Sequence, residues 1–208
     1  MVMSVAPGSI PWRWQARARH APRRGFTLAE LLVVLGIVAL LAGLLLPVVN
    51  RSRASAQRVT CRANLRDIGA QFQMYLNESR NHLPWVNTMP SVTPPINAAP
   101  SIVKVLEPYA RSAKQVYLCP ADRITLECAG APAGYATYFE REGCSYQYNP
   151  FLASIYAGKQ LKDTWLYENG RQNLLFIFKE YEPFHGPAGR AGAMNYLMAD
   201  MSVRDLVE

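Results

Sequence analysis

Apolar residues along this chain fall into three regimes, and each predicts a different kind of element. From Phe26 to Val49 they run almost unbroken, interrupted only by Thr27, Glu30, Gly36, Gly43 and Pro47. About 20 apolar-compatible residues in a row is the length at which a helix crosses a bilayer, so the run predicts a transmembrane helix over 26–49. From Ala54 the spacing changes: Ala54, Cys61, Leu65, Ile68, Phe72, Tyr75 and Leu76 recur in steps of three, four and seven and draw one stripe down a helix. The opposite face carries Arg58, Arg62, Arg66, Gln73 and Arg80. This predicts an amphipathic stem over 50–82, continuous with the first helix past a kink at Pro47 and ended by "NHLP" ahead of Pro84.

The third regime starts after the stem. Residues 83–100, containing "PWVNTMPSVTPPINAAP", have no regular period and read as a Pro-rich loop. Residues 101–208 then carry short runs expected to form a separate globular head. "SIVKVLEPYA" predicts a short helix, "QVYLCP" a strand entering a turn, and Leu174 to Phe178 a buried strand. "AMNYLMAD" and "SVRDLV" alternate around Asp200 and Met201 like the arms of a hairpin. A long N-terminal helix laid on a small antiparallel sheet is an α+β arrangement.

Charge sharpens the topology. Of 22 lysines and arginines, five (Arg13, Arg17, Arg19, Arg23 and Arg24) lie in residues 1–25 with no acid among them, leaving 17 basic against 15 acidic residues elsewhere. The overall +7 is thus mainly a property of a basic leader over 1–25. It is poor support for a nucleic-acid partner, and no aromatic residues interleave with the stem arginines as single-strand binders require. The positive-inside rule places the N-terminus in the cytoplasm and the head outside the inner membrane, although Arg51, Arg53 and Arg58 reduce the asymmetry.

Glu30 needs a partner, because a charge in lipid costs at least about 2.5 kcal/mol. The stretch "RRGFTLAELLVV" resembles the cleavage and methylation signal of type IV pilins and type II secretion pseudopilins, in which a basic leader ends in Gly and the new N-terminal Phe opens the apolar helix. The resemblance implies cleavage between Gly25 and Phe26, N-methylation of Phe26, and Glu30 as the assembly acid. Cleavage leaves Phe26 with a positive amine inside lipid, and the Glu30 of a neighbouring subunit neutralises it, so two buried charges are satisfied together. The Pro47 kink would serve filament packing. An ordinary single-span anchor explains the apolar run but neither Glu30 nor the Gly-Phe junction. A twin-arginine export signal would use "RRGF" and the small residues Ala54 to Ala56, but the apolar run is longer than the 7 to 15 residues of such signals and holds an acid.

The head extends the resemblance. "CRANLRDIGAQFQMY", "YLCPAD", "SYQYN" and "NYLMADMSVRDL" are similar to the G-like pseudopilin group, whose chains end in Asn-x-x-Phe-x-Asp-Gly-His-Val after an upstream His. Asn195, Asp200, Val203 and His185 match, but Met201 and Ser202 replace the Gly and the final His, so a role resting on that His has no counterpart. A residue other than glycine at a left-handed turn position costs about 1 kcal/mol, and another turn type is therefore expected around Met201. The fold implied is pilin-like. The partners implied are a prepilin peptidase and methyltransferase, sibling pilin or pseudopilin subunits, and an assembly ATPase with its inner-membrane platform.

Four cysteines, Cys61, Cys119, Cys128 and Cys144, fall in the part expected to be extracytoplasmic and oxidising, which favours disulfides. Three pairings are open. Cys61 lies in phase with the stem's stripe and could clip stem to head; Cys119 is one candidate partner, which would leave Cys128 with Cys144, and two bridges are expected. No Cys-x-x-Cys pair exists, so no metal is expected. His20, His82 and His185 are scattered, and no catalytic triad, phosphate loop, dinucleotide motif or zinc-protease signature occurs, so no enzyme is expected. The resemblance raises calcium, held in the C-terminal loop of the related major pseudopilin. Asp122, Glu127, Asp163 and Asp200 lack EF-hand spacing and read as solvated surface, and no cofactor is expected. Glu180, Glu182 and His185 read as loop after the buried strand. The competing class is a tethered or exported periplasmic domain with a binding or enzymatic role, which mutation of Glu30 would leave largely intact.

Overall fold

A computed structural model describes residues 26–91, 99–110, 114–125, 131–171 and 174–205. The chain divides into two compact units between Leu46 and Pro47. A single helix, α1 (Leu28–Glu78), is assigned through this division with Pro47 inside it. Proline has no N–H to offer the carbonyl four residues back, so the Gly43 carbonyl loses its helical donor at that point. In the first unit the helix is apolar all round. Every residue from Phe26 to Ala56 is exposed, and α1 contains a segment long and apolar enough to cross a membrane.

The second unit holds the rest of α1, the short helices α2 (Ile102–Leu106), α3 (Tyr138–Glu142), α4 (Pro150–Ser154) and α5 (Trp165–Glu168), and a four-stranded sheet. The strands are β1 (Tyr146–Tyr148), β2 (Phe176–Glu180), β3 (Tyr196–Met198) and β4 (Val203–Arg204), in the order β1-β2-β3-β4 and antiparallel throughout. Tyr146 faces Glu180 across β1 and β2, and Leu197 faces Val203 across β3 and β4. The architecture is α+β and pilin-like.

The stem stripe packs on this sheet. Cys61, Leu65, Ile68, Phe72 and Leu76 are buried, Tyr75 is half-buried, and Ala54, expected in the stripe, is exposed. The stripe therefore begins at Cys61. The Phe72 ring meets Phe178 edge-on, with centroids 5.7 Å apart, and lies 5.8 Å from Tyr148. Such aromatic pairs contribute beyond their buried area. Gly69 admits the closest approach: a Cβ there would sit 3.1 Å from the Leu197 side chain.

Several local expectations are corrected. Arg58 and Arg62, on the face opposite the stripe, are half-buried and engaged by the head. Arg58 Nη2 pairs with Asp205 at 2.5 Å, and Arg62 Nη2 donates to the Val203 carbonyl at 3.1 Å, so both hold the C-terminal strand against the stem. "QVYLCP" is not a strand. Lys114–Tyr117 forms a 3-10 turn closed by Leu118 N–H on the Gln115 carbonyl, and it receives one backbone bond from Ser145 in place of a ladder. The strand expected at Leu174 begins at Phe176, and Leu174 itself is exposed. In the terminal hairpin Met201 adopts φ 61°. The left-handed turn persists without glycine, and the partly buried Met201 side chain packs against the core, which offsets the strain.

Helix α1 ends in a similar way. The Asn81 N–H reaches back to the Leu76 carbonyl at 2.7 Å, the six-to-one bond of a Schellman ending, and Arg80 occupies the left-handed position at φ 55°. Glycine is the usual residue there. Arg80 is exposed, so Arg80→Gly removes backbone strain and no buried packing. It should stabilise the head by about 1 kcal/mol and raise the thermal midpoint by about 2–4 °C in scanning fluorescence.

Candidate functional site

At the N-terminal junction, Gly25 lies outside the described residues, and Phe26 is described and exposed. Thr27 precedes the first helical residue, and its pairing with Glu30 is reciprocal. The Thr27 N–H and hydroxyl both donate to Glu30 Oε2 at 2.9 Å, while the Glu30 N–H donates to Thr27 Oγ1 at 3.2 Å. This is a capping box, in which a hydroxyl residue and an acid three positions later satisfy helix-end donors that have no partner of their own. Its signature, Thr-x-x-Glu, stands in "TLAE", at the start of the much larger apolar run. Both donors fall on one carboxylate oxygen. Thus Glu30 has two distinct tasks available: it caps its own helix and keeps Oε1 for a second donor.

The cysteines separate into unlike pairs. Cys61 and Cys119 form a disulfide with an S–S distance of 2.02 Å, joining α1 to the turn after the 3-10 segment. Among the described residues Cys144 is a free, buried thiol, and Cys128, its expected partner, lies outside them. Burial pushes the Cys144 thiol up to about 12. Since the thiolate is the nucleophile, Cys144 should resist alkylation by iodoacetamide at pH 8 in the folded chain and react fully in guanidinium, as read by mass spectrometry of its peptide.

Beside the disulfide, the sheet assembles a polar cluster from residues whose local sequence has the composition of a loop. Glu180 closes β2 and is wholly buried. Its Oε1 accepts from Asn195 Nδ2 at 2.8 Å and lies 3.0 Å from His185 Nε2, and its Oε2 accepts from the Asn195 N–H at 2.9 Å. The His185 ring nitrogen is also 3.7 Å from Cys119 Sγ. One potential ligand atom from each of Cys61, Cys119, Glu180 and His185 lies within 4.8 Å of all the others. No local signal predicts this grouping, because antiparallel pairing of β2 with β3 is what carries Asn195 back to Glu180. Glu182, also buried, belongs to a different neighbourhood and accepts from the Tyr138 hydroxyl at 2.6 Å.

The remaining candidates are separately engaged. Asp122 accepts from the N–H groups of Tyr138 and Phe139 and from the Ser145 hydroxyl, whose oxygen in turn accepts from the Cys119 N–H. Asp163 caps its turn through the Gln160 N–H, and Asp200 holds Ser202 and Arg204 in the terminal hairpin. Glu127 lies outside the described residues. His82 Nδ1 is 2.9 Å from the Ser79 carbonyl at the end of the stem.

Comparison with known proteins bears on the junction. Neither the curated proteins nor the solved structures contain a match to this chain. A family model described as a prokaryotic N-terminal methylation motif matches residues 21–46. That span covers Gly25, Phe26 and Glu30 and ends where the first compact unit ends, at Leu46. The motif and the exposed apolar helix together indicate membrane anchoring of a pilin-type chain. The chain carries the N-terminal methylation motif of type IV prepilin-like proteins.

Proposed function

We propose that this chain is a structural subunit, a pilin or pseudopilin, of a type IV pilus or a type II secretion pseudopilus. Prepilin peptidase cuts the leader between Gly25 and Phe26 on the cytoplasmic side and Phe26 is methylated. The helix then holds the chain in the inner membrane with its head in the periplasm. An assembly ATPase and its membrane platform move the subunit out of the bilayer into a filament of sibling subunits. The observation that carries this reading is the matched motif over 21–46 on a helix whose residues are all exposed as far as Ala56. An apolar helix end that the chain does not cover requires lipid or other helices around it.

Glu30 fits the assembly role physically. Its Oε1 takes no part in the capping box, so a neighbouring subunit's Phe26 amine can bind without uncapping the helix. Export of the chain as a soluble domain would discard this whole arrangement. The test is fractionation. Produced with its own peptidase and platform, the chain should appear in sheared, high-speed pellets and should stay in the membrane when the assembly ATPase is inactivated. A chain that stays in the membrane under both conditions contradicts the subunit reading.

A further inference from the structure

Four ligand atoms of zinc-binding type meet in the head in a place that the pilin reading does not use. Cys61 and Cys119 supply two sulfurs, His185 an imidazole nitrogen and Glu180 a carboxylate oxygen. Structural zinc takes four such donors in a tetrahedron, at about 2.3 Å to sulfur and about 2.0–2.1 Å to nitrogen or oxygen, which sets neighbouring donors about 3.3–3.8 Å apart. Cys119 Sγ and His185 Nε2 are 3.7 Å apart, and His185 Nε2 and Glu180 Oε1 are 3.0 Å apart. Two pairs are closer than this: the sulfurs, because they are bonded to each other, and His185 with Glu180, because they are at hydrogen-bond distance.

The surroundings suit an ion as well. Cys61 and Glu180 are wholly buried, Cys119 is 1% exposed, and the His185 side chain is 3% exposed. Asn195 holds the carboxylate from two sides, the outer support that fixes a metal-binding carboxylate. Asn195 is itself buried, and its Oδ1 has no hydrogen-bond partner among the described residues, so the cluster retains an unused acceptor. The donors come from α1, from the turn after the 3-10 segment, from the end of β2 and from the β2–β3 connection. A metal here would tie the stem to the sheet as the disulfide does.

We propose that Cys61, Cys119, His185 and Glu180 form a zinc site when the disulfide is opened, so that one position in the head is closed either by a sulfur–sulfur bond or by a metal ion. A dithiol reductant opens the bridge: two electrons pass to the two sulfurs, the dithiol becomes a disulfide, and its two protons move to Cys61 and Cys119. Zinc then displaces those two protons and binds both thiolates. Oxidation by a disulfide reverses the exchange, releasing zinc and restoring the bridge.

The experiment uses the full chain in detergent, reduced with a dithiol, desalted without oxygen and dialysed against zinc or cobalt. The reduced chain should retain one zinc ion per molecule and the oxidised chain none, and cobalt should give a thiolate charge-transfer band in the near ultraviolet. His185→Asn and Glu180→Gln should each weaken zinc binding about tenfold or more, whereas Cys144→Ala should leave it unchanged. Far-UV circular dichroism tracks folding throughout. A reduced chain that loses helicity and regains it with zinc supports the site. The proposal fails if the reduced chain takes up no more zinc than the oxidised one, whether folded or unfolded, or if zinc uptake is the same in the His185 and Glu180 variants as in the parent.

Discussion

Glu30→Gln should be cut and methylated like the parent yet enter filaments about a hundredfold less. Glutamine at this position still accepts the Thr27 N–H and hydroxyl, since the capping box tolerates either Glu or Gln. It therefore keeps the helix end and removes only the charge. A filament contact that pairs Glu30 with the Phe26 amine of a neighbour would then leave that amine unpaired in an apolar setting. Breaking a buried pair in this way costs roughly 3 kcal/mol or more, about two powers of ten in an association equilibrium. Thr27→Val provides the complementary measurement. It removes the cap's hydroxyl and leaves the carboxylate, which should cost about 1 kcal/mol of helix-end stability and reduce assembly only modestly. If capping were the main task of Glu30, the order would reverse: Thr27→Val would be the more damaging change and Glu30→Gln nearly silent. Quantifying sheared filaments from the two variants separates these outcomes.

The second large effect concerns the head. Replacing both Cys61 and Cys119 with alanine should destabilise it by about 4 kcal/mol, because the bridge closes a loop of 58 residues and constrains the unfolded chain accordingly. For a protein of this size the loss lowers the thermal midpoint by roughly 10 °C. Trp85 and Trp165 lie in the second unit and both are about half exposed, so their fluorescence reports its unfolding. Cys144→Ala removes one buried sulfur and no cross-link, and should cost about 1 kcal/mol. Equal losses in the two variants would mean that the bridge contributes no more than any buried thiol.

What the sequence shows of this protein depends on the range over which each signal acts. The long helix is legible because its apolar run and its stripe through Leu65, Ile68, Phe72 and Leu76 repeat at the helical period over many turns. The hairpin of β3 and β4 is legible because a turn joins its arms closely in sequence. "QVYLCP" misleads, because Val116, Tyr117 and Leu118 favour a strand by type whereas the fold gives them no ladder. Tertiary context decides such short runs.

The candidate site divides in the same way. Gly25, Phe26 and Glu30 form a compact local pattern that survives without any knowledge of the fold, and the cap in "TLAE" is equally local though easily missed beneath the larger signal. The buried cluster is the opposite case. Cys61, Cys119, Glu180, His185 and Asn195 span more than half the chain and meet only because α1 packs on the sheet and β2 turns back into β3. Charged and polar residues in "KEYEPFHGP" carry the composition of a loop, and only strand pairing reveals that Glu180 points into the core.

The central claim, that the chain is processed and assembled as a prepilin, is tested most directly at its own N-terminus. The full chain would be produced with its cognate peptidase, and the mature start determined by intact mass and terminal sequencing. The expected mature chain starts at Phe26 and bears an added methyl group. A start after Ala56, which would discard the apolar helix, or an intact Met1 would contradict it.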